Sequence, residues 1–274
     1  MIIEIGIFLF YFVTGLCVGS FLNVVIYRVP LALTRCNDKI FNVAWPPSHC
    51  FSCKRNILKR DNIPVFSWII LKGRCRFCGA DISPRYPFIE LVTGIGYAMI
   101  GTLLTVQNHG QNWLFMLPVL FLFSVLLCLI TIDIDHLLLP DNIVFMLLWA
   151  GLLCSVLDIS SVSLRDAVLG VIITWLCLSG VLNIFNFVRK QQGMGAGDVK
   201  LYSALGAWLG WYQMPALLIL SSFVGIIMFL TFRKRPVSDI SQDGKALLVI
   251  PYGPAIALSG FILYILSLSQ YITG

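Results

Sequence analysis

The sequence predicts an all-α polytopic membrane protein of about eight transmembrane helices, with a small cytoplasmic zinc-binding insert after the first helix. Three observations carry this. The chain is 58% hydrophobic and 12% charged, with a mean hydropathy of +0.89, whereas soluble domains carry about 25% charged residues. Its apolar residues gather into runs near the ~20 residues that a helix needs to cross a bilayer. Its cationic residues gather into a few links between those runs.

In order, the predicted spans are 5–27, 88–106, 113–130, 142–157, 167–187, 201–212, 215–232 and 247–272. The first opens Met-Ile-Ile-Glu without a basic n-region, so it reads as a retained span rather than a cleaved signal. The sixth is short, and Gln213 and Pro215 favour breaking the run 201–232 into two helices. Three divisions follow: a first helix (1–27), a four-cysteine domain (28–87) and a membrane bundle (88–274).

Charge fixes an orientation. Of 19 Lys and Arg residues, 11 lie between Arg28 and Arg85. Another seven are Arg189, Lys190, Lys200, Arg233, Lys234, Arg235 and Lys245. Placing the Arg28–Arg85 segment in the cytoplasm puts 18 cations inside and only Arg165 outside, as the positive-inside rule requires. The N-terminus is then periplasmic, and the links 131–140 and 188–200 are cytoplasmic. The net charge of +6 is thereby a topology signal. It calls for membrane lipid as a neighbour and for no nucleic-acid partner.

The polar insert carries C-F-S-C (Cys50, Cys53) and C-R-F-C (Cys75, Cys78), with 21 residues between the pairs. Two C-x-x-C pairs at such spacing form a tetrahedral zinc site. Four thiolates leave no open position, so the Zn2+ folds the insert rather than catalysing. A cytoplasmic location argues against two disulfides. Cys36 is a weaker further ligand candidate, and His49 beside Cys50 reads as a surface or supporting group. Cys17, Cys128, Cys154 and Cys177 fall in spans as packing residues, and His109 falls in an outer link as a solvated group.

Two acidic stretches stand where apolar runs meet polar ones: T-I-D-I-D-H-L-L-L-P-D (131–141) and G-M-G-A-G-D-V-K (193–200). Ionisable groups near membrane depth are costly and are kept mostly where they act. Gly193, Gly195 and Gly197 allow close backbone approach around Asp198. A plainer reading makes Asp198 a helix N-terminal carboxylate. Asp133, Asp135 and Asp141 compete as its partner. Asp141 follows Pro140 and suits a helix cap. Asp133 and Asp135, two positions apart, point to nearly opposite helix faces, and spacing alone does not choose between them. His136 is placed either to tune a neighbouring carboxylate or simply at the interface.

These stretches resemble the two signatures of the type 4 prepilin peptidases, membrane aspartyl proteases of the G-x-G-D class. The resemblance extends to G-S-F-L-N-V-V-I-Y-R-V-P (19–30), to P-P-S-H-C-F-S-C, N-I-P-V-F-S-W, R-C-R-F-C and R-Y-P-F-I-E, and to P-Y-G-P-A (251–255). In the family pattern the first catalytic aspartate stands seven residues before the proline of the L-P pair, which here is Asp133. The second is the aspartate of G-x-G-D, here Asp198. The resemblance implies that these two share a proton and activate water to cut a prepilin or pseudopilin. The cut falls after a glycine between a cytoplasmic leader and an apolar stem. It also implies N-methylation of the new N-terminus with S-adenosylmethionine, an activity associated with the cysteine domain. Glu90 and Arg85 are candidates for that step, beside a reading as interfacial anchors. A transporter would place its polar groups near the midplane, and a zinc-bearing scaffold would leave both aspartate motifs unexplained.

Overall fold

A computed structural model describes residues 2–34, 47–107, 113–189, 195–232, 238–240, 246–248 and 251–273. The helices are α1 (Ile2–Thr34), α2 (Phe66–Ile70), α3 (Arg85–Gln107), α4 (Met116–His136), α5 (Asp141–Val156), α6 (Leu164–Arg189), α7 (Ala196–Leu209), α8 (Met214–Phe232) and α9 (Gly253–Thr273). Among the described residues, α1, α3, α4, α6, α8 and α9 are long and apolar enough to cross a membrane, while α5 is shorter. The chain is a multi-pass membrane protein. Every predicted span meets a helix, with shifted ends. One local departure from an all-helical chain is a short antiparallel ribbon, β1 (Ser238–Ile240) with β2 (Ala246–Leu248).

The chain divides into two compact units, Met1–Ser124 and Val125–Gly274. In the first, α1 and α3 run antiparallel along a seam of small residues. A Cβ on Gly15 would stand 2.7 Å from the Thr93 carbonyl oxygen, and one on Gly19 would stand 2.8 Å from Glu90 Cα. The Tyr11 ring lies over Gly101, and Asn23 Nδ2 donates to the Tyr86 carbonyl at 3.0 Å. In lipid, helices gain little from hydrophobic burial and associate by close backbone packing, which Gly15-x-x-x-Gly19 permits. α1 also runs past its predicted end at residue 27. Pro30 lies inside it, because Leu31, Ala32 and Leu33 continue the apolar run.

In the second unit α7 is the core. Val199 and every residue from Leu201 to Leu209 are buried. Fourteen residues span only about 21 Å, less than a bilayer core. α7 is therefore a short, buried helix at the place of the predicted span 201–212. α6 crosses it where Gly170 meets Gly206: a Cβ on Gly170 would stand 2.4 Å from the Gly206 oxygen. Trp208 lies over Gly151 and donates from Nε1 to the Leu147 carbonyl at 2.9 Å. The α7–α8 break falls at Gly210 (φ +75°) and Trp211–Gln213, beside the Gln213 and Pro215 that predicted it. By contrast, only 11% and 17% of the apolar windows of α6 and α8 are buried, so both present broad apolar surfaces suited to lipid.

Candidate functional site

α4 does not stop at the predicted end of its span but carries on through the first acidic stretch. It ends at His136, where Leu137 turns into a positive-φ conformation (φ 51°) and its N–H closes on the Asp133 carbonyl at 2.9 Å. The last turn therefore holds Asp133 and Asp135 on opposite faces. Asp133 is 5% exposed, while Asp135 and His136 face outward. Asp133 Oδ2 accepts the backbone N–H of Gly253 at 2.9 Å. A side chain at residue 253 would put its Cβ 2.7 Å from that same oxygen, so the position accepts only glycine without a shift.

Asp198 sits in the first turn of α7, which opens at Gly195. Its carboxylate lies against Gly195, where a Cβ would stand 3.2 Å from Oδ2. It is within electrostatic reach of Asp133. Leu139 fills the space between the motifs: Cβ atoms built on Gly197 and Gly253 would lie 3.1 and 3.2 Å from it. Gly193 lies outside the described residues. Asp141, expected as a cap, makes a more specific contact. Lys200 Nζ donates to both its oxygens at 2.7 and 2.8 Å, tying the start of α5 to the start of α7.

Three features of this site escaped the sequence reading. The Lys200–Asp141 pair was hidden because both residues had ready local explanations. Gly253 lies 120 positions from the carboxylate it holds. Behind it, Tyr202 Oη lies 2.5 Å from Ser221 Oγ and 3.3 Å from Tyr252 Oη. The one available signal was P-Y-G-P-A, which named a motif but no role. The arrangement places two carboxylates beside glycine-rich backbone, where an extended peptide can approach and a water can be activated.

The insert is built from two matching turns. Cys50 and Cys75, like Cys53 and Cys78, are 25 positions apart. The backbone repeats with them: Cys50 N–H donates to Arg55 O as Cys75 N–H does to Ala80 O. His49 bridges Asn56 as Arg74 bridges Asp81. The residue after each second cysteine, Lys54 or Gly79, has positive φ. This internal repeat was not evident in the sequence, because besides the cysteines only Ile57 and Ile82, and Arg60 and Arg85, are shared at matching positions. All four sulfur atoms lie within 4.8 Å of one another, and Cys50 Sγ is 3.7 Å from Cys78 Sγ. Zinc–sulfur bonds of about 2.3 Å in a tetrahedron put sulfurs about 3.8 Å apart, so the cluster fits that ion. Backbone N–H groups of Cys53 and then Ser52 hold the Cys50 thiol down at about 6, favouring the thiolate a metal needs. The Ala80 backbone N–H favours the Cys78 thiolate, but burial and side-chain hydrogen bonds with Cys75, Cys50 and Cys53 outweigh it and push the thiol up to about 11.

Arg76 grips Asp61 with two hydrogen bonds, at 2.8 and 2.6 Å. Arg55 lies over the Phe77 ring at 5.3 Å, locking one turn to the other. His49 Nδ1 donates to the Pro47 carbonyl at 3.0 Å and is not part of the sulfur cluster. Cys36 and His109 lie outside the described residues. Cys128 and Cys154 are buried in helices, and Cys17 and Cys177 are exposed on them.

Comparison with known proteins gives consistent findings. Residues 13–104 match the Bacterial Peptidase A24 N-terminal domain, and residues 120–230 match the Type IV leader peptidase family. The chain is 39% identical over 261 residues to the prepilin leader peptidase/N-methyltransferase of Pectobacterium carotovorum subsp. carotovorum, covering 90% of this chain and 89% of that one. It is 39% identical over 268 residues to the protein of the same name from Aeromonas salmonicida (strain A449), with 92% and 88% covered. It is 42% identical over 213 residues to that from Klebsiella pneumoniae, with 78% and 90% covered. No solved structure gave a significant match.

Proposed function

The chain belongs to the type IV leader peptidase family, and we propose on that footing that it is an aspartyl endopeptidase that cuts the leader from prepilins or pseudopilins. Asp133 and Asp198 are the catalytic pair. Two like charges within electrostatic reach of each other do not both ionise freely, so the pair holds one proton. One carboxylate takes a proton from water, and the other, protonated, donates to the scissile carbonyl. The pair titrates as a unit, so neither role is tied to one residue. The observation that supports this most is the setting of Asp133, buried, fixed by the Gly253 N–H and within electrostatic reach of Asp198.

The distribution of cations supports a bacterial inner-membrane location, with the N-terminus periplasmic and both acidic motifs at the cytoplasmic face. Leader and catalytic groups then share one side. The segment 28–87 acts as a separate functional division around structural zinc held by Cys50, Cys53, Cys75 and Cys78. The names of the relatives add N-methylation of the new N-terminus. When bound, S-adenosylmethionine would supply an electrophilic methyl group to that amine.

Co-expression with a prepilin tests the reading. The wild-type chain should convert the precursor to a faster-migrating product, whereas Asp133→Asn and Asp198→Asn should leave it uncut at equal membrane levels. Normal processing by the Asp198→Asn protein would sink the proposal.

A further inference from the structure

α2 is held by one face and leaves the other bare. Ser67 is buried, and its Oγ accepts the Ile63 N–H and donates to the Arg60 carbonyl, both at 3.0 Å. Trp68 Nε1 donates to the Ile82 carbonyl at 3.0 Å, and a Cβ on Gly73 would stand 3.0 Å from the Trp68 ring. Ser67, Trp68 and Leu71 line a cavity of about 520 Å³ whose walls also include Arg28 and Glu90. Phe66, Ile69 and Ile70 are not among its walls. They share the opposite helix face, at i, i+3 and i+4, and are 60%, 59% and 72% exposed. Ile63, just before them, is 50% exposed. An anchored helix thus holds large apolar side chains outward from a polar insert, the mark of an interaction surface.

The backbone sets the depth of this surface. Val65 N–H, at the start of α2, donates to Glu90 Oε2 at 2.7 Å. Val65 has φ 61°, strained for a β-branched residue and kept only where the surroundings over-determine it. Glu90 lies five residues past Arg85, where α3 begins its candidate membrane span. That is about 7.5 Å along the helix axis. Interfacial helices bury their apolar face about 5–10 Å into the boundary between headgroups and acyl chains, so α2 is pinned at that level. Cations stand at its edges: Lys59, Arg60, Lys72 and Arg74 are exposed. Arg74 reaches Asp81 at 3.5 Å. Asp61, the single acid in 57–74, is gripped by Arg76.

We propose that α2 docks the insert on the bilayer itself, with Phe66, Ile69 and Ile70 at the acyl boundary and Lys59, Arg60 and Lys72 on anionic lipid phosphates. Such a lipid surface is complementary to the patch twice over: its acyl boundary takes the apolar face, and its phosphates attract the surrounding cations. The insert is also tethered at both ends, by α1 and α3, and stays within reach of the leaflet that α3 enters. Trp68 ties α2 to the turn of Cys75 and Cys78 through Ile82 and Gly73, so docking holds that turn at a fixed height over the lipid. This inference rests on the membrane topology and on neither enzymatic reading.

The test uses full-length, zinc-loaded protein with p-benzoylphenylalanine in place of Phe66 or of Ile70. It is irradiated in nanodiscs holding an excess of phosphatidylcholine over phosphatidylglycerol, with prepilin present, and the adducts are identified by mass spectrometry. The same group in place of Phe88, 65% exposed on α3, is the positive control. Lipid adducts are expected at both α2 positions. Phosphatidylglycerol should be enriched among them roughly fivefold over its share of the disc, the effect of one cation near an anionic surface. The enrichment should fall in Lys59→Gln/Lys72→Gln protein. Adducts to peptides of 125–274, to a second copy or to prepilin in place of lipid overturn the proposal. So does a lack of lipid adducts at 66 and 70 when position 88 gives them, and so does an unbiased mixture of the two lipids. Should a substituted protein lose its zinc, the unaltered chain decides. A phosphatidylglycerol with a diazirine on its acyl chain should label peptides from 63–71, and labelling that spares them overturns the proposal.

Discussion

The cysteine insert and the aspartate site solve the same problem, holding acidic groups close together, in opposite ways. The insert does it locally. Each pair of sulfurs is set by a turn of a few residues whose hydrogen bonds run from Cys50 to Arg55 and from Cys75 to Ala80. The aspartate site does it globally. Asp133 ends α4, Asp198 opens α7, and the amide that fixes Asp133 comes from the start of α9, 120 positions away. In the insert, the binding energy of a metal would hold together ligands that repel one another. The aspartates are positioned by helix packing and, for Asp133, by the Gly253 N–H. The two sites should therefore fail differently.

The largest effect is chemical. Asp133→Asn and Asp198→Asn should each lower cleavage by about 10²–10⁴-fold or more, the usual worth of a general acid or base, with zinc content unchanged. Reduced zinc in either variant would erase the contrast between the sites.

Next is metal. Cys53→Ser, or a strong chelator, should unfold the insert, since structural zinc contributes about 10–16 kcal/mol to small domains of this kind. Metal analysis and proteolysis within 47–84 report it. The acid dependence follows from the four thiolates. Protons compete with zinc for them, so zinc should be retained at neutral pH and released as the pH falls. Zinc content that stays constant on acidification would show that the thiolates do not hold it. The Arg76 hydrogen bonds likewise hold Asp61 below its ordinary range. That contribution is present above the ordinary carboxylate pKa and is lost only in stronger acid.

Gly253→Ala probes the long-range arm of the comparison. The added Cβ meets Asp133 Oδ2 at 2.7 Å and must turn the carboxylate. A misplacement of that order costs on the order of 10²-fold in rate, with little change in zinc binding. The smallest effect belongs to Lys200→Met. Its pair with Asp141 is partly exposed, with side chains 34% and 52% accessible, and such pairs contribute about 0–1 kcal/mol. Thermal unfolding should shift by only a few degrees.

Much of this could be read in the order of residues, for identifiable reasons. The spans are set by stretches of apolar side chains near bilayer length. The break between α7 and α8 was marked by Gln213 and Pro215, and the cysteine cluster by two C-x-x-C turns whose geometry needs no distant partner. Each of these is a local preference, and local preference survives in any context. Asp133 and Asp135 mark where that ends. Helical periodicity puts them on opposite faces, but which face is interior depends on what packs there. Only the fold decides it, by burying Asp133 against Gly253 and leaving Asp135 outside. The same holds for Gly253 beside a carboxylate, for Lys200 reaching Asp141, and for the cavity around Arg28 and Glu90. These contacts join residues that chain order keeps apart, and their energies exist only once the helices have packed.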